Sequence, residues 1–228
     1  MPLPTGNIIY PCPLSKGYSI PSDQAWILLT VFSLYRLSLA CLFVILFFSD
    51  FGPSLLGTYN PKLYTNVSLS YLFTSIIFGA CALLRKPDYV FQAQSIIFID
   101  ILAITLLMHA CGGITSGIGM LLAVTIAAGG LLIGGRCAVL FAILASLAII
   151  AEQVFAMQTH AFATTAYTYT GVLSVAFITI AFLSYFLALR SEQSERIISQ
   201  KEQTIHNLEE LNEHIIQQLN SGIIITNT

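Results

Sequence analysis

Between Trp26 and Leu189 the chain carries six apolar stretches, each near the ~20 residues a helix needs to cross a bilayer, and these limit its possible folds more than any motif does. They run Trp26 to Phe48, Asn66 to Leu84, Phe91 to Ala110, Ile118 to Ile133, Cys137 to Met157 and Tyr167 to Leu189. Only 9% of the residues are charged while 56% are hydrophobic, which excludes an ordinary soluble domain. A net charge of -2 gives no reason to expect a nucleic-acid partner. The connections are short and hold turn residues, among them Gly52-Pro53, Asn60-Pro61, Lys86-Pro87 and Gly112-Gly113. The expected fold is an all-α membrane protein with six transmembrane helices over residues 26–189, the fourth short and rich in glycine.

Lysine and arginine stay on the cytoplasmic side of such proteins. An N-terminus inside places Lys16, Arg85, Lys86, Arg136 and Arg190 in the cytoplasm and leaves Lys62 outside. Both termini are then cytoplasmic. Residues 1–25, with five prolines and no long apolar core, read as a disordered leader rather than a signal peptide. Cys12, Cys41, Cys81, Cys111 and Cys137 show neither a CxxC pattern nor a facing pair in an outer loop. They read as small packing residues, with no metal or disulfide framework.

Three charges stand inside the apolar stretches: Arg36, Asp100 and Glu152. A charge at a helix centre costs about 2.5–3.5 kcal/mol on insertion scales, so each calls for a partner or a wet cavity. Arg36 lies ten residues into the first span and Asp100 nine into the third, with both spans running outward. They reach the same depth, and an ion pair between them serves either to fix helix packing or to sense a signal. Glu152 lies in the outer half of the fifth span, on a face shared with Ala148, Ala145, Ala142 and Ala138. The fourth span offers Gly119, Ala123, Ala127, Gly130 and Gly134 at similar spacing. Small residues allow close helix approach, either as a tight hairpin of spans four and five or as a groove for another transmembrane helix. His109 is about 900° along the helix from Asp100, on the opposite face, and reads as an ordinary polar residue at the outer boundary.

After Leu189 the chain turns charged and adopts a heptad, with Ile198, Ile205, Asn212 and Leu219 seven apart and Lys201, Leu208 and Ile215 between them. Asn212 in the seam fixes register and favours two strands, while Glu202 and Glu209 keep the flank polar. Residues 190–220 are therefore expected as a parallel, homodimeric coiled coil. His206 and His214 fall outside its seam. Ile223 to Thr226 follow Gly222 as a β-branched run, the expected first strand of a PAS-like domain over 221–228 that is cut short.

Three runs together carry a family resemblance: Tyr35-Arg36-Leu37, Gly112 to Arg136, and Leu211 to Thr226. The chain resembles the PilS-type membrane sensor histidine kinases of type IV pilus two-component systems. The resemblance implies six spans in a bacterial inner membrane, then PAS, dimerisation and kinase domains that use ATP and magnesium to phosphorylate a response regulator. It also implies pilin within the membrane as the input. No catalytic or cofactor-binding residue falls within these residues. The same input helix suits another output, such as a cyclic-dinucleotide enzyme. A small multipass transporter is a third reading, although the two halves show no repeat.

Overall fold

The computed structural model describes residues 8–9, 12, 20–49, 56–86, 88–158 and 166–220. Six α-helices make up nearly all of it: α1 (Ser22–Phe48), α2 (Pro61–Leu84), α3 (Tyr89–Ala110), α4 (Leu121–Leu132), α5 (Gly135–Gln158) and α6 (Ala166–Asn220). Five have the length and apolar character to cross a membrane, α6 through its part Tyr167–Arg190. The expected strand at 223–226 and the leader at 1–7, 10–11 and 13–19 lie outside the described residues.

Local chemistry sets the helix ends. Asn60 caps α2 by accepting the Leu63 N–H at 3.0 Å, and Pro61 follows at the first turn, where its missing N–H costs nothing. The helix stops at Arg85, whose left-handed backbone (φ 53°) turns its N–H onto the Ala82 carbonyl at 3.3 Å. Gly112 and Gly113 end α3 with positive φ of 94° and 83°, a region open to glycine at little cost.

Neighbouring helices are joined by polar side chains that reach the backbone of the next. Tyr64 on α2 donates to the Phe43 carbonyl of α1 at 3.2 Å. Gln92 on α3 donates to Phe78 of α2 at 2.8 Å, and the Tyr89 hydroxyl donates to Leu132 of α4 at 2.8 Å. Between α1 and α2, Gly57 donates its N–H to Cys111 Sγ at 3.3 Å. Burial pushes that thiol up, with the Gly57 bond opposing it, so Cys111 behaves as a packing residue. At the centre is α3, whose Ile96, Ile97, Ile104, Leu107 and Met108 are buried. The outer surface is as apolar as this interior, with Ile45, Phe73 and Leu147 exposed, as a lipid solvent requires.

Three expectations are corrected. The fourth expected span is a 12-residue α-helix preceded by two 3-10 turns, Ile114–Ser116 and Ile118–Met120. Glycines interrupt it: Gly117 (φ 76°) separates the turns and Gly134 (φ 105°) follows the helix. At ~1.5 Å per residue α4 alone covers only about 18 Å. The leader is ordered where it is described, because Ile8–Ile9 (β1) pairs antiparallel with Ile20–Pro21 (β2) and α1 already begins at Ser22. A disulfide joins Cys12 to Cys137, against the reading of both as packing residues. The bond ties Cys12 to the first turn of α5, a contact across 125 residues that spacing does not reveal.

The chain divides into two compact units, Met1–Ala188 and Leu189–Thr228. The second consists, among the described residues, of the charged part of α6.

Candidate functional site

The buried charges form two pairs, both anchored on α3. Arg36 Nε donates to Asp100 Oδ1 at 2.6 Å, with the two side chains 0% and 1% exposed. The expected match in depth between spans one and three is thus a direct bond. Tyr71 of α2 places its ring under the guanidinium, 5.3 Å from the carbon to the ring centroid, so three helices meet at one cation. Neither terminal amino group of Arg36 has a hydrogen-bond partner among the described residues. Separating the pair would leave each charge in low dielectric without compensation, which holds α1 and α3 in one register.

The first pair sits midway along α3, and the second lies at its C-terminal end. His109 Nδ1 is 3.0 Å from Glu152 Oε1 of α5, and the side chains are 16% and 5% exposed. Tyr59 packs edge-on against the imidazole with centroids 5.4 Å apart, and Phe155 lies on it at 5.7 Å. His109 is therefore a partner of Glu152, not an isolated boundary residue. Its own helix conceals this, since the helical wheel relates it only to Asp100. The signal available was depth: both residues fall in the C-terminal half of their apolar stretches, the third and the fifth.

Gly130 of α4 and Gly119 of the 3-10 turn before it face the chain's own last span. A Cβ on Gly130 would come within 2.5 Å of Ser184 Cβ on α6 and 3.4 Å of Ala138 on α5. Gly119 packs against Leu173 of α6 and Met108 of α3, both 3.1 Å from where its Cβ would stand. Ala123 and Ala127 are half-buried, and Gly134 forms the α4–α5 turn. A Cβ on Gly135 would meet the Tyr185 backbone at 2.4 Å. Glycine is thus needed at the α4–α5 corner to seat α6.

On the charged part of α6, Ile205, Leu208 and Asn212 are exposed. The side chains of Ile198, Ile215 and Leu219 lie outside the described residues. No group of three metal-ligating side chains occurs among the described residues.

Residues 19–198 match the family model of the PilS-like transmembrane domain. The "Sensor protein kinase PilS" of Pseudomonas aeruginosa strain PAO1 is 30% identical over 210 residues, which cover 92% of this chain and 39% of the relative. The chain thus spans well under half the length of that curated relative. No solved structure matches it significantly.

Proposed function

The chain belongs to the family of PilS-like transmembrane domains, and from that membership we propose that it is the input module of a two-component sensor histidine kinase in the bacterial inner membrane. It takes a signal inside the bilayer and passes it through a dimeric helix to PAS and kinase domains. Those domains use ATP and magnesium to phosphorylate a response regulator for type IV pilus genes. Six crossings, with α4 and its 3-10 turns as the fourth, put both termini in the cytoplasm, where the bond between Cys12 and Cys137 is open to reduction to a thiol pair.

The observation that carries this reading is α6. It is a single helix from Ala166 to Asn220, apolar through Leu189 and charged beyond it. Such a helix is suited to carry rotation or translation out of the membrane. Pilin is the proposed input, a partner with a long apolar helix. If that helix used the small residues of α4, it would compete with Ser184 for Gly130. Partner binding and movement of α6 would then be one event.

Phase insertions test the relay in the full-length kinase. Two residues added after Arg190 rotate everything downstream by about 200°, whereas seven restore the phase to within about 20°. Autophosphorylation in membranes should change sharply with two residues and return with seven. Output indifferent to insertion length would rule out mechanical relay through α6.

A further inference from the structure

Three cavities follow one another along α1, each sharing lining residues with the next. The first, about 830 Å³, lies at the basic end of the bundle between Trp26, Arg85, Lys86, Asp88 and the first turn of α3. The second, about 270 Å³, shares Trp26 and Arg85 with it and extends to Thr30 and Leu83. The third, about 380 Å³, takes over at Thr30 and Leu83 and reaches Ser33, Leu37 and Ser75. The shared residues make one furrow, with its polar groups concentrated at the mouth.

Its length and floor are those of a slot for a hydrocarbon chain. Trp26 to Leu37 is eleven helical steps along α1, about 16 Å at 1.5 Å per residue. Half of a ~30 Å hydrocarbon core is about 15 Å. A Cβ built on Gly79 meets nothing within 4 Å, so the floor is open there, while Leu34, Ile76 and Leu83 form apolar walls.

The mouth carries both signs of charge. Arg85 Nη1 is 3.2 Å from Asp23 Oδ1, with side chains 58% and 79% exposed, a pair that water weakens and a ligand can reorganise. Lys86 and Asp88 line the same recess. A purely anionic headgroup would meet the two carboxylates as well as the two cations. A choline headgroup has no N–H to donate. A phosphodiester bearing a primary ammonium satisfies both signs, and Trp26 supplies the amphipathic ring suited to this depth.

We propose that the furrow binds one phospholipid with an ethanolamine headgroup. Its phosphate lies on Arg85 and Lys86, its ammonium on Asp88, and an acyl chain along Leu83, Ile76 and Leu34 to the turn before Arg36.

Native mass spectrometry of the chain with phosphatidylethanolamine, phosphatidylglycerol and phosphatidylcholine of matched acyl chains tests this. Wild-type chain should retain phosphatidylethanolamine about fivefold better than either of the others, the worth of roughly one interfacial charge contact. Arg85→Asn, which suits a left-handed backbone, combined with Lys86→Gln should lower its retention about fivefold per charge removed. Asp88→Asn should abolish the preference among headgroups. Gly79→Leu, whose side chain enters open space without a clash in the fold, should lower retention of all three. Equal retention of the three lipids by wild type, a preference for phosphatidylglycerol, or undiminished retention by Gly79→Leu would each overturn the proposal.

Discussion

Arg36 and Asp100 show how one contact can dominate the behaviour of a membrane bundle. Lipid offers neither charge a substitute partner, so the 2.6 Å bond is replaced by nothing when one side is removed. Arg36→Leu or Asp100→Leu should each cost about 3–5 kcal/mol, and the exchange Arg36→Asp with Asp100→Arg should recover much of it. Thermal melting of the three variants in detergent measures the difference. An exchange variant no more stable than either single variant would remove direct pairing as the source of the effect. Arg36 and Asp100 were legible in the sequence because a charge in an apolar stretch is conspicuous and depth along two helices can be counted. His109 was not, since histidine near a helix end is ordinary. Only the position of α5 gives it Glu152 at 3.0 Å.

At the level of the element, α4 and α6 form one device. While Gly117 and Gly134 bound the short segment, Gly130 within α4 lets α6 approach it, with Ser184 against that glycine. Gly130→Leu should therefore push α6 away and destabilise the bundle by about 1–3 kcal/mol, the usual cost of overpacking. Gly171→Leu is the control, since a Cβ there meets nothing within 4 Å and the gain in helix propensity is the same. Equal melting temperatures for the two variants would show that the contact exerts no constraint. The sequence reveals that two small-residue faces want close neighbours, but not which helix takes the place. Hydropathy likewise locates the fourth segment without its true form, because glycine counts as neither polar nor helix-breaking on such a scale. The heptad after Leu189 remains a matter of pattern.

For the whole molecule, the second unit has no core of its own among the described residues. Ile205 and Leu208 are 56% and 59% exposed, more than half of each apolar side chain in water. A second copy of the helix is the expected cover. Single cysteines at 205, 208 and 212, in a background lacking the others, should crosslink between chains far more readily than cysteines at 207 and 210. Uniform crosslinking around the helix would mean that no seam exists.

The first unit carries a constraint of a different kind, set by the bond between Cys12 and Cys137. A disulfide cannot thread a bilayer, so its two sulfurs lie on one side, and the chain between them crosses an even number of times. In the proposed topology α1, α2 and α3 each cross once, which leaves the count at the end of α3 odd, and the segment that would restore parity is α4 with its 3-10 turns. Its position agrees: Gly119 lies by Met108 near one end of α3, and the Leu132 carbonyl receives the Tyr89 hydroxyl at the other. On the proposed six-span topology the fourth crossing falls to a helix too short to be recognised as a span by length, and the bond from the leader to α5 is the feature that asks for it.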